Sequence, residues 1–142
     1  MRAALIWTFN VMLIVNGAAM LLVPEIWFGL IPSVAETGPF NPHFARDVGS
    51  AYLVAGGGLI WFWLDQRARP AAIAGAAFLA LHALVHLWDL AAGHESLVHF
   101  LEDVPAVILP GLLVFKLARR RPTSLKENSY AHVVAAAADR RV

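Results

Sequence analysis

The 142-residue chain has no cysteine and little charge, with Lys, Arg, Asp and Glu together making up 15% of it. Without cysteine there are no disulfides, no thiolate metal centres and no thiol redox chemistry. A formal net charge of +1 provides no basic surface for nucleic acid. Apolar residues take up the difference at 59% of the chain, more than a soluble domain of this size can hide beneath a polar surface.

The apolar residues fall into four runs, at 4–23, 44–64, 71–92 and 97–115. Each is close to the roughly 20 residues that cross a hydrocarbon core of about 30 Å. Hydrocarbon supplies no water to backbone N–H and C=O groups, so each run must be helical. The pattern predicts an all-α membrane protein, a four-transmembrane-helix antiparallel bundle over 1–121, followed by a polar, then alanine-rich tail over 122–142. Arg2 before an apolar run imitates a signal peptide, but the run is too long for a usual signal core and is expected to stay as the first helix.

Orientation follows from the basic residues. Arg2, Arg67, Arg69, Lys116, Arg119, Arg120, Arg121, Lys126, Arg140 and Arg141 lie before span one, between spans two and three, or after span four. Those regions share one side, and the positive-inside rule makes it cytoplasmic, with both termini there. Trp7, Trp61 and Trp63 then fall near the inner interface, and Trp27 and Trp88 near the outer one. Pro24 ends span one, and the stretch after it is expected to lie flat at the interface as a short amphipathic turn. Pro105 and Pro110 are expected to kink or loosen span four.

Polar residues inside the spans mark the site. His82, His86 and Asp89 lie within about 60° of one another on a helical wheel and form a single stripe in span three. In span two, His43, Asp47 and Ser50 share a face with Arg46 beside them, while Gly49 and Gly56 form a small-residue face suited to close helix packing. Thr8, Asn10 and Asn16 in span one are expected to hydrogen-bond within the bundle. With this topology His43, Asp47, His86, Asp89, His99, Glu102 and Asp103 converge at the outer half, with His82 deeper and Arg46 as counter-ion.

Ionisable groups at membrane depth are expensive and usually face a partner or a cavity. Three chemistries fit this set. Histidines at i and i+4 with carboxylates on a neighbouring helix suit a transition metal. Ionisable groups spaced through the membrane suit a proton relay. A histidine among aromatic residues suits haem or a quinone. No standard metal signature is present, and the same residues would also serve as interhelical ties in a structural accessory subunit. A proton-coupled solute transporter would need an oligomer, since four spans leave little room for a pathway. An enzyme acting alone is not indicated. The expected partners are lipid and other membrane subunits or further copies of the chain.

The segment at 38–53, GPFNPHFARDVGSAYL, followed by LHALVHLW at 81–88, resembles small four-span bacterial inner-membrane proteins of uncharacterised function. In size and span count the chain is also similar to the DoxX-like group. The resemblance implies a multi-pass protein of the bacterial inner membrane. DoxX-like members are linked to quinone-coupled sulfur oxidation, and no catalytic motif of that group matches residues here.

The topology has a direct test. A reporter fused after Arg121 should read cytoplasmic and one inserted at 33–38 should read periplasmic, because ten of the 11 basic residues then lie inside. Both reporters on one side would refute the four-span arrangement.

Overall fold

A computed structural model describes residues 2–31, 34, 38–94, 96–109 and 112. Among these residues every regular element is helical and there is no strand. In chain order they are α1 (Arg2–Leu22), α2 (Pro24–Leu30), α3 (Pro42–Leu64), a 3₁₀ turn (Gln66–Ala68), α4 (Arg69–Ala92), α5 (Leu97–Asp103) and a π-helical turn (Val104–Ile108). The expected tail at 122–142 lies outside the described residues, as do Pro110 and most of the later part of span four.

Local signals set the helix ends. Asn41 caps α3, its side-chain oxygen accepting from the N–H groups of His43 and Phe44 at 3.1 Å each, and Pro42 occupies the first turn, where a missing N–H costs nothing. α4 ends at Gly93 with φ +74°, a left-handed conformation that glycine adopts without penalty. Gly93 N–H donates to Leu90 O and His94 N–H to Asp89 O, the paired bonds of a Schellman cap. Ser96 then caps α5, its hydroxyl accepting from His99 N–H at 3.2 Å. The chain thereby reverses within a few residues, and α5 returns along α4.

Two helices, α3 and the segment Gln66–Ala92, are long and apolar enough to cross a membrane, and α1 with α2 adds a third if that bent pair is one span. Their surfaces agree with this: Val54, Trp61, Leu64, Leu81, Leu84, Val85 and Trp88 all face outward. So continuous an apolar exterior is costly in water and is covered naturally by lipid.

Inside, α1 packs on α3 and α3 on α4, with Leu13, Met20, Tyr52, Ala55, Leu59, Ala72, Ala76 and Leu79 forming the core. Glycines make these approaches possible. A Cβ placed on Gly49 would lie 2.6 Å from Met20 Cβ and 2.8 Å from Gly17 O, and one placed on Gly17 would lie 2.8 Å from Gly49 O. Each glycine thus faces the other's carbonyl. Gly75 meets the backbone of Ala55 in the same way, tying α4 to α3. Trp7 and Trp63 meet edge to face at 6.4 Å, which puts the start of α1 level with the end of α3.

After Pro24 the axis of α2 is bent by 120° relative to α1, and Trp27 Nε1 donates to Asn16 Oδ1 at 3.0 Å. Trp27 is half-buried and packs against the core. An indole N–H and a carboxamide oxygen satisfy one another where lipid would satisfy neither. Asn10 is different: it is 3% exposed, and its Oδ1 has no partner among the described residues.

Substituting Gly49→Leu should destabilise the bundle by about 1–3 kcal/mol or prevent assembly, since Met20 Cβ and the Gly17 backbone leave no room. Gly57→Leu, where a Cβ would meet nothing within 4 Å, should be tolerated. Unfolding in a denaturing detergent series measures both, and equal tolerance would contradict the packing.

Candidate functional site

The hairpin between α4 and α5 determines which polar groups meet. His86 lies six residues before the end of α4, and Asp103 six residues after the start of α5. Antiparallel helices rise equally per residue, so the two side chains stand at the same depth, about 9 Å from the helix ends. His86 Nδ1 and Asp103 Oδ2 are 2.8 Å apart, a charge-assisted hydrogen-bond distance, and their side chains are only 22% and 13% exposed.

Deeper in the bundle an array of rings adjoins this pair. The imidazoles of His82 and His86 lie 4.9 Å apart, edge to face. His82 stacks on Phe78 with centroids 5.9 Å apart and planes at 18°, and meets Tyr52 edge-on at 5.6 Å. Tyr52 also meets Phe78 edge-on at 5.5 Å. The His86–Asp103 bond joins Asp103 to this array. Four protonatable side chains from α3, α4 and α5 therefore gather at one place, Tyr52 and His82 further from the hairpin and His86 and Asp103 nearer to it.

Local backbone structure supports the placement of Asp103. Pro105 has no N–H to donate to the carbonyl four residues earlier, so the α-helical ladder cannot run on unchanged. The chain widens into the π turn, where Leu109 N–H donates to Val104 O, five residues back. The loosening expected from Pro105 is thus a π turn immediately after Asp103. Such turns recur at functional sites because they re-aim the side chains beside them.

Asp89, His43 and Asp47 pair elsewhere. Asp89 lies at the end of its stripe and pairs with His94 at 3.5 Å, both substantially exposed. His43 and Asp47 pair with each other at 3.4 Å, one turn apart on α3, with side chains 87% and 66% exposed. His99 sits in the first turn of α5, where its backbone N–H completes the Ser96 cap. The side chain of Glu102 lies outside the described residues. Arg46 Nε donates to Leu21 O at 3.3 Å. The carbonyls of a helix's last turn lack intrahelical donors, and a guanidinium supplies one.

Among the described residues no three His, Asp or Glu side chains come together in a geometry able to hold a metal ion. The nearest approach is His82, His86 and Asp103, where one direct bond joins two members and ring contact joins the third. Tyr52 is the residue that sequence reasoning missed. The signal was present, since Tyr52 shares a helical face with Gly49 and Gly56, already read as buried.

Comparison with protein-family models, with curated proteins and with solved structures finds no match, so the chemistry rests on the geometry of the residues themselves.

Proposed function

We propose that this chain is a small four-span subunit of the bacterial inner membrane, both termini cytoplasmic, whose Tyr52, His82, His86 and Asp103 form an intramembrane proton-exchange site beside a larger redox partner. The observation that carries this reading is the 2.8 Å His86–Asp103 bond between two helices at matched depth. With Nδ1–H donated to the carboxylate, Nε2 of a neutral ring is the position that accepts a proton. Asp103 then balances the charge of the imidazolium in a setting where an unpaired charge is strongly disfavoured.

The packing beneath the site favours exchange from the hairpin end over conduction across the membrane. Leu13, Ala55, Leu59, Ala72, Ala76 and Leu79 are all buried and fill the bundle on the far side of Tyr52 and His82. That plug disfavours the transporter alternative. Donors that meet in a pair, with a third group in ring contact only, favour proton exchange over a resident transition metal or haem.

The accessory-subunit reading draws on the same bond, since His86 and Asp103 tie α5 to α4. Substitution separates the two readings. In Asp103→Asn the carboxamide oxygen can still accept the His86 N–H, so the tie should persist and stability should change by less than about 1 kcal/mol. Protonation of the buried imidazole after a pH jump, read from histidine ring bands in difference infrared spectra, should disappear. His86→Ala removes both functions and should cost about 1 kcal/mol as well. Unchanged proton uptake in Asp103→Asn would overturn the exchange reading and leave the pair as a clamp.

A further inference from the structure

One face of α3 is built unlike the rest of the exterior. His43, Asp47, Ser50, Val54, Gly57 and Trp61 follow one another along it at steps of four and three residues, and all six are exposed. At the depth of His43 to Ser50, the outward face of α4 carries Leu81, Leu84, Val85 and Trp88, a surface suited to acyl chains. Steps of four and three residues keep a stripe on the seam of two paired helices. Ser50 and Gly57 are small, and a Cβ on Gly57 would meet nothing within 4 Å, so a second helix can come close. Small and polar residues on a spanning helix mark contact with protein rather than with lipid.

Asp47 sharpens the contrast. If α3 is centred in the hydrocarbon, its 23 residues place Asp47 about 6 Å below the surface. Asp47 Oδ2 lies 3.4 Å from His43 Nε2, and the two side chains are 66% and 87% exposed. That separation exceeds the roughly 2.7–2.9 Å of a charge-assisted hydrogen bond. It matches the edge of a zinc tetrahedron, since ligands bound at about 2.0–2.1 Å stand about 3.3–3.4 Å apart. Imidazole nitrogen with carboxylate oxygen suits zinc better than magnesium or calcium.

One chain supplies two of the four donors, and symmetry supplies the rest. Two copies inserted in the same direction are related by a two-fold axis along the membrane normal, so seam residues meet their own counterparts at equal depth. We infer that a zinc ion joins two copies of this chain along the α3 seam, held by His43 and Asp47 of both. Two carboxylates balance the charge of the ion, and the imidazoles stay neutral, so the closed site carries no net charge where charge is costly. This site is separate from His86 and Asp103 and does not rest on the exchange reading.

The test is zinc chloride titrated into chelator-stripped, full-length protein in mild detergent, with bound zinc read by elemental analysis and mass by light scattering. One zinc should bind per two chains and tighten the dimer about tenfold or more, and chelator should reverse this. Magnesium should not substitute. His43→Ala removes two ligands from the dimer and should weaken zinc binding about a hundredfold or more, with helical content unchanged because the side chain is exposed. Gly57→Leu carries no ligand, yet it should prevent zinc-dependent pairing while the chain stays folded. One zinc per chain, pairing indifferent to chelator, equal pairing with magnesium, or full zinc binding by His43→Ala would overturn the inference. Zinc-dependent pairing that survives Gly57→Leu would overturn the seam.

Discussion

Hydrocarbon offers no hydrogen bonds, and that constraint accounts for most of what is distinctive in this chain. A polar group carried into the bilayer is costly unless it finds a partner within the protein or at its surface. His86 and Asp103 do so across the α4–α5 hairpin, Trp27 and Asn16 across the α1–α2 bend, and Arg46 at the end of α1. Of these, the His86–Asp103 bond alone joins two ionisable side chains that are both largely buried. It ties α5 to α4 and leaves a titratable ring next to a second titratable ring.

That geometry depends on how closely the other helices approach. Gly17 against Gly49 brings α1 and α3 together, and Gly75 against Ala55 brings α4 onto α3. Tyr52, positioned between Gly49 and Gly56 on the buried face of α3, is thereby held against Phe78 and His82. Larger residues at these crossings would separate the helices and dissolve the ring array before they touched any ionisable group. Packing and chemistry are coupled here because three-ring contact needs centroids within about 4.5–7 Å, a tolerance smaller than one added side chain.

Much of this was legible in the sequence. Helical class, the close-packing face of Gly49 and Gly56 and the inward stripe of His82 and His86 follow from period and composition. What sequence could not provide was pairing. Asp103 rather than Asp89 meets His86, because the Gly93 cap and Ser96 set the hairpin register, and one residue of slip would have chosen differently. His43 and Asp47 lie on an α3 face that points outward, and a wheel alone does not say which polar face is buried. The angle of the bend between α1 and α2 was not legible, because Pro24 announces a break without giving its angle.

The central claim is that His86 holds a proton against Asp103 and exchanges it from inside the bundle. The most direct measurement is solid-state ¹⁵N NMR of histidine-labelled protein in lipid bilayers. The account predicts a protonated His86 Nδ1 whose signal shifts in Asp103→Asn and whose Nε2 gains a proton as pH falls. An imidazole locked in one tautomer across that range, with shifts indifferent to Asp103→Asn, would contradict it.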